Sequence, residues 1–144
     1  MLNIFPPLLF NRIILKEISD DFSEMKVVIK KVLFNINLQR TIFGGSIFSA
    51  FDPYFPTMYY YIFFKRKLII WVKSAEIEYR KPAKSNLNIH FKISKKEIQI
   101  AKKNLNEKGK FEISHNVEAR SNNGILCAKA RIKIYLRDKN FKPE

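Results

Sequence analysis

The chain has 144 residues, 27 Lys plus Arg against 13 Asp plus Glu for a formal charge of +14, and 47% hydrophobic with 14% aromatic residues. Aromatic residues spread along the whole length exclude a disordered basic tail and supply a core for one domain, read here as residues 1–144. One Cys and two His leave neither an intramolecular disulfide nor a structural zinc cluster, so the reading is a reduced, cytoplasmic chain with no metal and no cofactor.

The most apolar stretch, Tyr54 to Phe64, contains Pro56 and is far shorter than the roughly 18 to 20 residues of a membrane helix, so no span is predicted. The first 15 residues hold no basic residue before Arg12 and no small-residue cleavage site, which argues against a secretory signal. The lysines are scattered on alternating strand positions with no aromatic-basic signature of an RNA-recognition sheet. The charge therefore points away from nucleic acid and towards a smaller anionic ligand.

Pro7 to Ile18 opens with Pro and places Leu8, Leu9, Ile13, Leu15 and Ile18 on one broad apolar face, which predicts a short N-terminal helix. Met25, Val27 and Ile29 alternate with Lys26, Val28 and Lys30 as a half-buried strand does. After an irregular stretch with Asn35 and Asn37, Gly44-Gly45 begins the most apolar segment, to about Phe64. Apart from Asp52 it carries no charge, and it reads as a buried helix interrupted or kinked near Pro53 and Pro56.

From Leu68 the period changes. Ala75, Ile77 and Tyr79 face opposite to Ser74, Glu76, Glu78 and Arg80, and Lys81-Pro82 closes the strand. Leu87, Ile89, Phe91 and Ile93 alternate again, whereas Lys95 to Asn106 fits either a strand continuation or a short helix. Phe111, Ile113, Val117 and Ala119 are answered by Ala128, Ala130, Ile132, Ile134 and Leu136 across Ser121-Asn122-Asn123-Gly124, a hairpin signal. Antiparallel strands with one wet face must cover the other, and only the segment after Gly44 is apolar enough. The expected class is α+β: a curved sheet of about five strands around one long helix, the hotdog arrangement, with a short N-terminal helix.

Gly-Gly at a helix start leaves backbone N–H groups aligned with the positive end of the helix dipole, in reach of a ligand oxygen. Such a place can serve as an oxyanion hole, with Gly45 as donor and Asp52 as nucleophile or general base. Burial of Asp52 among Phe48, Phe51 and Phe55 would raise its proton affinity to a useful range. Seven residues of helix separate Gly45 from Asp52 by about 10.5 Å, too far for one carbonyl to touch both. Two helices packed antiparallel across a two-fold axis would unite Gly45 of one chain with Asp52 of another, so this chemistry requires a homodimer.

Plainer roles stand beside these. The Gly pair also suits a tight helix start, Asp52-Pro53 an N-cap followed by Pro at the first helical position, and Asn37 a turn cap. His115 falls on an apolar strand face, as a hydrogen-bonded core histidine would. His90 and Cys127 alternate to the wet face without a visible partner. Ser46 and Ser49 have no neighbouring His, which argues against a serine triad.

Asn37-Leu-Gln-Arg-Thr41-Ile-Phe43-Gly44-Gly45, with Asp52 seven residues after Gly45, resembles the Asn-x-x-Gly-Thr-x-His-Gly-Gly-(x)6-Asp pattern of hotdog thioesterases of the phenylacetyl-CoA type. Phe-Gly-Gly, Asp52-Pro53 and Lys73-Ser-Ala-Glu-Ile-Glu-Tyr-Arg-Lys-Pro82 are similar to an uncharacterised thioesterase-like branch of that superfamily. The resemblance implies hydrolysis of an acyl thioester, most readily an acyl-CoA, at a dimer interface, with a dimer of dimers as the larger assembly. It marks Asn37, Arg40, Thr41, Phe43, Gly44 and Ser46 as substrate-binding candidates beside Gly45 and Asp52. Two positions depart from the pattern: Phe43 replaces the motif His, and Arg40 replaces the Gly before Thr. The alternative is a non-catalytic protein that binds an acyl-CoA, a fatty acyl chain or a partner. Arg40 is the nearest cation for CoA phosphates, with Lys65, Arg66 and Lys67 as a second group.

Overall fold

The computed structural model describes residues 2–142. After a single 3₁₀ turn, α1 spans Pro6–Phe10 and β1 spans Ile13–Ile18. The expected helix from Pro7 to Ile18 is thus only its first third. Arg12 turns the chain at φ 54, which ends the helix, and the β-branched pair Ile13-Ile14 enters an extended strand that pairs with β2, Glu24–Ile29. In β2 the alternation holds: Met25, Val27 and Ile29 are buried.

The central apolar segment forms two helices in series, α2 (Gly44–Phe51) and α3 (Tyr54–Ile62). The break falls at Asp52-Pro53, where the missing Pro N–H interrupts the ladder, yet both residues keep right-handed helical angles. Pro56 lies in the first turn of α3 and breaks nothing. Ile47, Ala50, Phe51, Tyr54, Phe55, Met58 and Tyr59 face inward and form the centre of the core.

β3 (Leu68–Tyr79), β4 (Leu87–Lys92), β5 (Lys110–Ser121) and β6 (Leu126–Asp138) complete a wholly antiparallel sheet in the order β1-β2-β4-β5-β6-β3. The sheet has six strands against the five expected, the sixth being β1. It curves around the α2–α3 axis, with α2 packed on β2 and β6 and α3 on β2 and β3. The stretch from Lys95, open between two readings, is α4 (Lys95–Lys108). Ser94 and Glu97 cap it reciprocally, Glu97 N donating to Ser94 Oγ and Ser94 N to the Glu97 carboxylate.

A bulge between Val72 and Ser74 in β3 resets the alternation, so that Ile70 and Val72 before it and Ala75 and Ile77 after it all pack on the core. Cys127 is buried rather than on the wet face. The segment after β3 folds over it, with the Arg80 and Lys81 N–H groups both donating to the Cys127 carbonyl. His90 is on the wet face, where it meets Glu24 at 2.8 Å. Much of the strand charge is paired across the same face, as in Lys26–Glu17 and Lys129–Glu78. No described helix is long and apolar enough to cross a membrane.

Candidate active site

The motif stretch forms a turn that delivers the chain to α2. Asn37 organises it: its Oδ1 accepts from Gln39 N and Thr41 N, its Nδ2 donates to Thr41 Oγ1 at 2.9 Å, and its own N–H donates to the Thr41 carbonyl. Thr41 is buried by this pairing. Asn37 therefore caps the turn. Arg40 sits inside it at φ 58, a left-handed conformation that costs a side-chain-bearing residue roughly 1 to 2 kcal/mol and that glycine adopts freely. The glycine of the similar pattern would adopt this conformation without strain. The Arg40 side chain is exposed.

Asn35, two residues earlier, holds the turn to the body of the protein. It is buried, donates through Nδ2 to the carbonyls of Lys30 and Asn11, accepts from Val32 N, and gives its own carbonyl to Phe43 N at 2.8 Å. In the sequence the one signal of this role is a polar residue between the apolar neighbours Phe34 and Ile36. Ser46 is also buried, and its hydroxyl donates to Asn11 Oδ1 at 2.6 Å. Its hydroxyl thus ties α2 to the N-terminal segment.

Phe43 is the extended residue before α2, and its carbonyl accepts from Ser46 N and Ile47 N. Among the described residues no acceptor meets the N–H of Gly44 or Gly45. A Cβ on Gly45 would run into the Phe43 ring, which lies across it. Tyr79, at the end of β3, does the same for Gly44: its ring stands 3.2 Å from where a Cβ would be, and its hydroxyl donates to the Gly44 carbonyl at 3.0 Å. Strand alternation alone places Tyr79 on a sheet face and does not foretell this contact. Partial burial pushes the Tyr79 phenol up, so it stays a donor at neutral pH. Asn37, Thr41, Gly44, Tyr79 and Lys81 line a cleft of about 390 Å³ in front of the helix start.

Asp52 ends α2 in a right-handed helical conformation, and α3 begins without a side-chain cap. The capping role is therefore not what Asp52 does here. It is exposed, whereas Phe51 and Phe55 turn into the core and Phe48 is 45% exposed. Its own chain does not bury it among the three phenylalanines. Gly45, Phe48 and Asp52, spaced by three and four residues, lie along one outward face of α2.

His115 behaves as a core histidine: buried, stacked on Phe55, with Nε2 2.9 Å from the Tyr59 hydroxyl and Nδ1 3.5 Å from the Glu97 carboxylate.

A six-stranded antiparallel sheet around a central helix, with a Gly-Gly helix start and an outward Asp at its far end, defines a protein of the hotdog class. Solved structures carry the same fold. A Pseudomonas aeruginosa protein of unknown function described as a probable thioesterase aligns with a TM-score of 0.79 at 16% identity, over 89% of this chain and 84% of that one. A putative thioesterase from Shewanella oneidensis aligns at 0.67 and 21% identity, over 95% and 91%. The E. coli PaaI protein from the phenylacetic acid degradation operon aligns at 0.68 and 14% identity, over 100% and 91%. No curated protein matches the sequence. The chain belongs to the family described as a domain of unknown function, DUF4442, whose pattern matches residues 1–136.

Proposed function

We propose that the protein is an acyl-thioester hydrolase, acting on acyl-CoA at a two-fold dimer interface in the reducing cytoplasm. The observation that carries this reading is the outward stripe Gly45, Phe48, Asp52. Phe48 lies near the midpoint of the 45–52 interval, so two such helices packed antiparallel would set the Phe48 rings about the axis. Gly45 of each chain would then face Asp52 of the other. The pairing would bury a large exposed apolar residue and withdraw both carboxylates from water, the burial that one chain does not provide. β3 favours the same assembly: it is an edge strand of 12 residues bonded to β6 on one side.

In the composite site the thioester oxygen lies on the Gly45 N–H, which meets no acceptor among the described residues. Either the Asp52 carboxylate of the second chain attacks the carbonyl and expels CoA as thiolate, after which water cleaves the acyl-Asp52 anhydride, restores the carboxylate and supplies the thiol proton, or Asp52 takes a proton from an attacking water and passes it to the sulfur as the C–S bond breaks. Asn37 and Thr41 fix the turn, Tyr79 fixes Gly44, and the Phe43 ring replaces the imidazole of the related pattern with an apolar wall. Arg40, exposed and strained, is the phosphate anchor, since its planar fork suits a phosphate bidentately.

Lys81, on the rim of the cleft, adds a second cation. Release of free thiol from a panel of acyl-CoAs tests the reading. Asp52→Asn is expected to lower kcat by at least a hundredfold with an unchanged melting temperature. Unchanged turnover in that variant, or no thiol release from any acyl-CoA by the wild type, would refute it.

A further inference from the structure

A second cavity lies on the same helical line as Asp52. It is a groove of about 560 Å³ floored by α3 and walled by both edge strands, with Leu15 and Ile18 of β1 on one side and Ile70 of β3 on the other. Because Asp52 and Pro53 keep helical angles across the break, Asp52, Pro56 and Tyr60 follow one another at intervals of four residues, one above the next. The groove thus starts a single turn, about 6 Å, beyond the carboxylate and runs away from it. The apolar stripe proposed for the dimer contact leads directly into it.

Its chemistry is selective. In a chain that is 28% charged, none of the eleven residues lining the groove carries a charge. The two short polar side chains are already used: Asn3 bonds both the N–H and the carbonyl of Leu15, and the Thr57 hydroxyl donates to the Pro53 carbonyl. Apart from the Tyr60 and Tyr61 hydroxyls, the lining offers a ligand polar group no side chain not already engaged, so most polar groups would lose hydration there without replacement. Hydrocarbon would lose nothing. The volume is several times the roughly 150 Å³ of an apolar cavity that takes one benzene ring.

We propose that this groove holds the acyl chain of the thioester, so that the protein prefers extended apolar acyl groups over acetyl. This rests on the hydrolase reading only for the position of the carbonyl; the binding itself needs no turnover. The experiment is a calorimetric titration of the full chain with S-propyl-, S-hexyl- and S-decyl-CoA, thioethers that cannot be hydrolysed.

Affinity should rise roughly twofold or more per added methylene, below the about fourfold of complete burial because the groove is open on one side. Ile18→Trp fills the groove from a half-exposed strand position, and it should weaken S-decyl-CoA at least tenfold more than S-propyl-CoA. Tyr60→Ala, which removes part of the α3 floor, should shift the profile in the same direction and guards against misfolding of the first variant. Affinity independent of chain length, or a chain-length dependence that both variants leave intact, would overturn the groove. Chain-length-dependent binding without thiol release by the wild type would keep the groove and sink the hydrolase. Thiol release with no chain-length preference and no effect of Ile18→Trp would do the reverse.

Discussion

Arg40 is held in a left-handed turn where glycine would cost nothing, and its exposed guanidinium points at the solvent that a CoA phosphate would occupy in the proposed complex. The strain and the charge make opposite predictions for one substitution. Arg40→Gly should stabilise the protein by about 1 kcal/mol, read as a higher urea midpoint at constant m value. It should at the same time raise KM for acyl-CoA in a salt-dependent way and spare an acyl-pantetheine that lacks the nucleotide phosphates. A variant that gains stability without losing CoA would show that Arg40 anchors nothing.

His115 supplies a second residue-scale test. Burial outweighs the nearby Glu97 carboxylate and holds its imidazole below the usual histidine range, so the folded protein binds a proton less readily than the unfolded chain. The stability from this group is complete above the unfolded value of about 6.5 and declines as pH falls below it towards the folded value. Urea unfolding between pH 7.5 and 5 should show that decline. His115→Gln, which keeps an amide for Tyr59, should flatten it.

At the scale of elements, alternation identified β2, β4, β5 and β6 because each has a wet and a dry face and no competing pattern. It failed at β1, where Leu8 to Ile18 satisfies a helical stripe and a turn plus strand equally well. The decision fell to the backbone of Arg12, whose positive φ no side chain announces. Cys127 was misplaced for a related reason: the segment that covers it comes from 45 residues away, beyond any local period. The Gly-Gly helix start was legible from spacing, but Tyr79 holding Gly44 depends on β3 ending beside α2, a tertiary fact.

The same limit explains Asp52. Phe51 and Phe55 adjoin it in sequence, yet the helical turn points them inward while Asp52 and Phe48 point out. That outward stripe predicts that Phe48→Glu, placing a charge about the proposed axis, leaves the protomer folded and lowers the mass seen by light scattering at micromolar concentration from dimer to monomer. A dimer that persists would place the interface elsewhere.

For the whole molecule, the net charge of +14 and the uncharged groove beside the helix suit a ligand with an anionic head and an apolar tail. The fold holds Gly45 and Asp52 about 10.5 Å apart along one helix, so the proposed chemistry requires two chains sharing each site. Complementation measures this directly. A Gly45→Pro chain loses the N–H at a first-turn position that tolerates proline and keeps Asp52, an Asp52→Asn chain keeps Gly45, and each alone is expected to be nearly inactive. Co-expressed in equal amounts, half of the dimers would carry one chain of each kind and hence one intact site of two, restoring about a quarter of wild-type thiol release per protomer. Activity no greater than the average of the two separate variants would contradict the shared site and, with it, the proposed mechanism.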